Sequence, residues 1–361
     1  MQISPDNPQF QTIIFGIIFC TALFFSIRKA ERERFFSVSR TEELKGFAIL
    51  AIILSHIGYF LSSDQRFLWP FSILAGVGVN LFLFLSGFGL TLSSLKKPLN
   101  IFKFYLKRLR KLFVPFWIVI SAFFMADYFI LNRSYSLEII IQSFLGFFPV
   151  ADLFLSLDSP LWYFSMILFY YLLFPLLFWK RFPYLCPLLL VIVSNYFLKN
   201  PPLEINNDVL NLYKLHYLSF PLGVFFALLI SEGSLEAFKI GFKKVFFERN
   251  LKDLLILLFI ILFAYTSINS GVGLSKDIEQ TRSLITMFSI IFIFIAKSFE
   301  FKLFNIFGLL SYEIYLIHWP ILARYDLFYK YFPASVATIL YLGMFLALGM
   351  LLNKLTAKLK V

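Results

Sequence analysis

Eleven apolar stretches follow one another along the chain, at residues 10–27, 46–62, 71–93, 112–131, 161–179, 184–198, 210–231, 253–268, 283–296, 303–323 and 334–353. A hydrocarbon core is crossed by about 20 consecutive apolar residues in a helix, and lipid leaves no other way to satisfy the backbone of a single span. The fold expected is therefore all-α, a polytopic bundle of transmembrane helices. A few stretches are short for that length and need tilt, bilayer thinning or burial among neighbours. Composition agrees: 60% of the 361 residues are hydrophobic, 20% aromatic and 15% charged, too apolar for a soluble domain of this size.

The net charge of +12 does not point to nucleic acid, because the basic residues fall between the apolar stretches, where they set orientation. With the N-terminus outside, segments 28–45, 95–111, 180–181, 232–252, 297–302 and 354–361 become cytoplasmic, and they hold 25 of the 33 Lys and Arg. The opposite side takes the turn-rich runs at 62–65, 132–136, 200–208 and 269–277. The first stretch has no basic residue before it and a positive cluster after it, as an uncleaved anchor does. Segment 137–155 is read as an amphipathic or re-entrant outer element that lines an acceptor entrance. Cys20 and Cys186 sit in different apolar stretches without CxxC spacing and read as small hydrophobes.

Three histidines limit the search for chemistry. In RTEELKGFAILAIILSH (40–56), Lys45 and His56 lie eleven positions apart, three turns plus about 20°, and so share a helix face with about 16 Å between them. An imidazole at that depth is either a functional group or a structural histidine bonded to a neighbouring helix. In SYEIYLIHWP, Ser311, Tyr315 and His318 share a face and Glu313 points about 140° away from His318. His318 either orients a substrate or closes a helix contact. His216, near the outer end of the seventh stretch, is expected to be less buried and dispensable. No set of three ligands at metal-site spacing is visible.

Two further features stay open. Lys107, Arg108, Arg110 and Lys111 precede an apolar stretch, as an orientation signal or as a phosphate clamp for a donor such as a coenzyme A thioester. Gly76, Gly78, Ser86, Gly87 and Gly89 allow close approach of another helix or of a ligand. A transporter or flippase for a glycan or lipid precursor would share the helices and inner charges, but should show matched halves, and no internal repeat is present.

Taken together these patches resemble the acyltransferase 3 family. The run Lys45-Gly46-Phe47-Ala48 to His56 is similar to its arginine, ten residues, histidine motif. VGVNLFLFLSGFGLT (77–91), the basic run at Arg108 and Arg110 before Pro115, LWYFSMILFYYLLFP (161–175) and FGLLSYEIYLIHWPIL (307–322) follow in the family's order. The resemblance implies transfer of an acyl group, usually acetyl from acetyl-CoA, to a hydroxyl of a cell-envelope polysaccharide, lipopolysaccharide or lipid-linked sugar in the bacterial inner or plasma membrane. It implies His56 as the catalytic histidine and Lys45 as its basic partner, and no tightly bound cofactor or metal. Residues 40–361 would form the family's domain of about ten helices, and residues 1–39 an added anchor with a basic linker. Departures are Lys45 for the usual arginine, Ile167 and Leu168 where many relatives carry two glutamates, and Asn80 where an acidic residue is common. On this reading Arg108, Arg110, Lys111 and Lys45 hold the coenzyme phosphates, His56 is the general base, and Ser86, Tyr315 or His318 donate to the developing oxyanion, with Glu313 in support.

Overall fold

A computed structural model describes residues 2–29, 37–62, 66–150, 159–231, 249–268 and 276–359. In chain order its helices are α1 (Pro8–Phe25), α2 (Val38–Tyr59), α3 (Ala75–Lys96), α4 (Ile101–Leu131), α5 (Leu137–Leu145), α6 (Trp162–Leu177) and α7 (Leu185–Lys199). There follow α8 (Asn207–His216), α9 (Ser219–Ser231), α10 (Arg249–Ile268), α11 (Lys276–Ala296), α12 (Lys302–Leu309), α13 (Ser311–Arg324) and α14 (Ala334–Lys358). Every one of the eleven apolar stretches coincides with a helix or a consecutive pair, so the all-α polytopic bundle is what the chain forms. Among the described residues six helices are long and apolar enough to cross a membrane on their own, α8 and α9 counting together as one. The tenth stretch is not the single helix its pattern suggests: α12 and α13 meet at Leu310 with a bend of 77°. Of segment 137–155, residues 137–150 pack beside α4, with Trp117 Nε1 donating to Phe144 O at 2.9 Å. Residues 151–155 lie outside the described residues.

Outward faces carry large apolar side chains at helical spacing, such as Phe10, Ile13 and Ile17 on α1, Leu188 and Ile192 on α7, and Leu254, Leu257 and Ile261 on α10. Such faces suit lipid. Inside, two packed clusters divide the bundle. One draws on α1, α2, α4, α11, α12, α13 and α14, the other on α7 and α8, and α3, α6 and α9 contribute to both.

Glycines set two close crossings. A Cβ on Gly46 would lie 1.8 Å from Phe304 O, and one on Gly308 would lie 1.8 Å from Glu42 O, so α2 and α12 touch backbone to backbone through reciprocal glycines. Gly87 against Phe220 O (2.3 Å) and Gly223 against Phe84 O (2.1 Å) repeat the arrangement between α3 and α9. Close packing is thus the role of Gly87 and of Gly78, whose Cβ would meet Ala48 O at 2.7 Å, whereas a Cβ on Gly89 meets nothing within 4 Å.

Charge pins both ends. At the start of α2 the buried Glu43 pairs with Lys297, whose ammonium also lies over the rings of Phe294, Phe299 and Phe301 at 4.3, 5.1 and 4.4 Å. Beside it Arg28 reaches Glu300 at 3.1 Å across the two-stranded ribbon of β1 (Ile27–Lys29) and β2 (Phe299–Phe301). At the far end of the bundle Asp127 of α4 pairs with Arg324 of α13 and accepts from the hydroxyls of Tyr135 (2.8 Å) and Tyr325 (3.2 Å). Buried charges so paired are costly to separate. They lock α2 to the segment between α11 and α12, and α4 to α13, which carries His318.

Candidate active site

His56, near the end of α2, and His318, in the second half of α13, meet inside the bundle. His56 Nδ1 lies 2.9 Å from His318 Nε2, with the two rings nearly parallel. His318 is fully buried and His56 is 8% exposed. Which nitrogen carries each proton follows from the partners. His318 Nδ1 faces two carbonyl oxygens, Ile314 O at 3.1 Å and Tyr315 O at 2.9 Å, and carbonyls only accept. A neutral His318 therefore keeps its proton on Nδ1 and offers its Nε2 lone pair, so His56 Nδ1–H donates to it. The lone pair of His56 is left on Nε2, which has no hydrogen-bond partner among the described residues. This is the tautomer a general base needs, held by a backbone-anchored second imidazole.

His56 opens onto a small cavity of about 30 Å³ with Ile52, Val79, Phe82, Pro160, Trp162, Tyr163 and Tyr315 around it. The space takes a water or a hydroxyl group. It lies where the two packed clusters meet, with Trp162 belonging to one and Tyr315 to the other, and Tyr163 packing on both. The Tyr315 hydroxyl is already committed to Pro160 O at 2.9 Å, and its ring meets Tyr163 at 5.4 Å.

The basic residues form a second centre at the other end of α2. Lys45, Lys107, Arg108 and Glu313 all act electrostatically on Lys111, so these side chains share one neighbourhood. Glu313 accepts from Asn353 Nδ2 at 2.9 Å, and Lys45 lies 3.4 Å from Glu42. Glu313 therefore belongs to the basic end and not to the histidine pair. Arg110 is exposed and about 200° round α4 from Arg108, and it joins none of these contacts. The Arg108 guanidinium lies over the rings of Tyr171 (5.2 Å) and Phe104 (5.6 Å), and the Tyr171 hydroxyl donates to Ser86 Oγ at 3.4 Å. Tyr163 stands about 12 Å further along α6 than Tyr171. Arg108, Tyr171 and Ser86 thus line up from the basic end along α6, whose Tyr163 borders the cavity together with Tyr315. Ser86 sits partway along this line and is not at the histidines.

His216 is buried as the other two histidines are, contrary to the expectation of a less buried residue. It is 4% exposed, its Nδ1–H donates to Asn80 Oδ1 at 2.7 Å, and its ring stacks on Trp162 with centroids 5.5 Å apart. Asn80 also accepts from Ser219 Oγ at 2.7 Å and donates to Ser283 Oγ at 2.8 Å, tying α3, α8, α9 and α11 behind the cavity wall. The amide both donates and accepts, which an acidic residue here could not do while ionised. His216→Ala should therefore cost about 1–3 kcal/mol through a broken buried network, read as a lower thermal unfolding midpoint, with His216→Gln recovering part of it. Trp162, Tyr163 and Tyr171 were not singled out from the sequence, although all three lie in the 161–175 patch. Ile167 and Leu168 are packing residues here, Ile167 within one cluster and Leu168 against the other.

Fold and site together define a multi-pass membrane protein with an intramembrane histidine pair reached from a basic end. The family model for the acyltransferase domain of acyltransferase 3 matches residues 43–354, and the chain belongs to that family. No curated protein and no solved structure matches it. The chain is accordingly a membrane acyltransferase.

Proposed function

We propose that this acyltransferase moves an acyl group, acetyl from acetyl-CoA, from the cytoplasmic side to a hydroxyl of an envelope polysaccharide, lipopolysaccharide or lipid-linked sugar. The observation that carries the chemistry is that His56, which borders the cavity, is bonded to His318 through Nδ1, so that its lone pair is left on Nε2. Nε2 takes the proton of the acceptor hydroxyl as its oxygen bonds to the acyl carbon. Collapse of the tetrahedral intermediate breaks the carbon–sulfur bond, and Nε2–H returns the proton to the departing thiolate. His318 steadies the transient imidazolium by accepting from Nδ1–H throughout.

The donor side rests on Lys45, Arg108 and Lys111, whose clustered charges suit phosphates. From there the line through Tyr171 and Ser86 toward Tyr163 matches the length of an extended pantetheine arm, comparable with the roughly 16 Å between Lys45 and His56. Arg110 serves orientation in the membrane, as its separate exposed position suggests. In this reading the 25 basic residues of the inner segments face the cytoplasm of a bacterial inner or plasma membrane.

Mass spectrometry of envelope glycan from cells with and without the chain tests the function directly: a gain of acetyl mass is expected, and identical glycan profiles would refute it. Purified variants test the donor site. Arg108→Ala should raise the KM for acetyl-CoA about tenfold with kcat little changed, as loss of one phosphate contact does. Arg110→Ala should leave KM unchanged. Lys45→Ala should impair the reaction and Lys45→Arg keep it.

A further inference from the structure

Residues Gln2–Phe25 precede the matched domain, yet they bond to it at three places. Ile3 is clasped to the end of α2: its N–H donates to Phe60 O at 2.7 Å, and its carbonyl accepts from Ser62 N at 3.0 Å and Ser62 Oγ at 3.2 Å. Thr12 Oγ1 accepts from Leu68 N at 2.8 Å in the connection to α3, where the rings of Phe15 and Phe19 also pack on Phe71. Gln11 Oε1 accepts from Ser335 N at 3.1 Å and Ser335 Oγ at 2.7 Å at the start of α14.

The first contact leads straight to the histidines. Phe60, held by Ile3, meets the Trp319 ring at 5.2 Å, and Trp319 meets His56 at 5.0 Å with the rings nearly perpendicular. Trp319 is 1% exposed, and its Nε1–H is buried without an acceptor among the described residues. Packing between Phe60 and His56 therefore orients the indole. Orphaned buried donors are rare, and this one persists only while its surroundings hold it.

We infer that the N-terminal segment is a positioning brace for the histidine pair: by clasping Phe60 onto Trp319 it holds His56 Nδ1 on His318 and closes that side of His56 to water. The inference rests on the reading of His56 as the base. Loosening the brace lets the indole tilt, frees the His56 ring, and admits water that competes with the acceptor for the acyl group. The thioester carbon–sulfur bond then breaks to free carboxylate and thiol, with water supplying the oxygen.

The test uses the full chain in nanodiscs and two variants, deletion of Gln2–Asp6 and the milder Thr12→Val. Diethyl pyrocarbonate modification of His56 is followed by mass spectrometry relative to His216, alongside acetyl-CoA hydrolysis without acceptor and the KM for acetyl-CoA. Modification of His56 should rise about tenfold in the deletion variant, the opening that loss of one or two hydrogen bonds allows, and less in Thr12→Val. Hydrolysis should rise relative to transfer while KM holds. Unchanged His56 modification in inserted, monodisperse protein overturns the brace, and Thr12→Val decides if the deletion variant fails to insert. Faster modification in a protein that transfers no acyl group in its native form would uphold the brace and remove the acyl-transfer chemistry.

Discussion

His56→Ala is expected to lower acyl transfer by at least about 100-fold and up to about 10⁴-fold, the usual range for loss of a general base. The ring is small beside the bundle, and its one hydrogen bond among the described residues goes to His318, so the variant should insert and keep its unfolding midpoint within a few degrees. The loss should fall on kcat and leave the KM for acetyl-CoA near its original value, since Lys45, Arg108 and Lys111 lie at the other end of α2. Near-native acetylation by a folded His56→Ala protein would dismiss this mechanism even though the family assignment stands. His318 separates tautomer control from simple packing. In His318→Leu the Nδ1–H of His56 loses its acceptor and the ring is free to present either nitrogen, so kcat should fall by about 100-fold or more. In His318→Gln the amide oxygen can accept from Nδ1–H, and part of the rate should return.

The same pair shows how far the sequence can be read. The helices were legible almost throughout, because lipid forces each apolar stretch to satisfy its own backbone and leaves hydrophobic run length as a dependable signal. The bend at Leu310 was not, since SYEIYLIHWP continues the apolar pattern of 303–309 without a proline at the break, and Gly308 two residues before it reads equally as a packing glycine. His56 was legible through its depth and through the spacing to Lys45. Its bond to His318 was not, because 262 positions separate them and nothing in either helix names its partner.

Burial misled the reading of His216 for a related reason. Its neighbours LYKLH read as a polar end of a span, yet α8 is covered by α3 and α11, and Asn80 supplies the partner that makes a buried imidazole tolerable. The basic run at 107–111 divides for a reason helical geometry does supply: residues 108 and 111 lie three apart on one face, and 110 is on the other. Glu313 followed the same logic, since the 140° that separates it from His318 turns it toward Lys111 and Asn353.

Gly46→Ala is expected to be among the most damaging single substitutions in the chain. Its added Cβ would sit 1.8 Å from Phe304 O, and a backbone oxygen cannot turn aside as the end of a flexible side chain can. The only relief is to move α2 and α12 apart along their whole crossing. Overpacking against side chains costs about 1–3 kcal/mol, and here the clash is with backbone and the buried Glu43–Lys297 pair must loosen with it, so a larger loss is expected. It should appear as failure to recover monodisperse protein or as a sharply lowered unfolding midpoint. Gly308→Ala should behave alike, for its Cβ meets Glu42 O at the same 1.8 Å. Because separating the helices once relieves both clashes, the double variant should be about as unstable as the worse single one, a departure from additivity that independent sites do not show. Gly89→Ala and Gly343→Ala, where nothing among the described residues lies within 4 Å, serve as controls and should be neutral or slightly stabilising through helix propensity. Activity adds a second readout. α12 leads through Leu310 into α13, so any Gly46→Ala protein that survives should show His318 displaced from His56 and a kcat loss approaching that of His318→Leu. Gly46→Ala protein with native stability and native kcat would mean that this crossing does not set the geometry of the histidine pair.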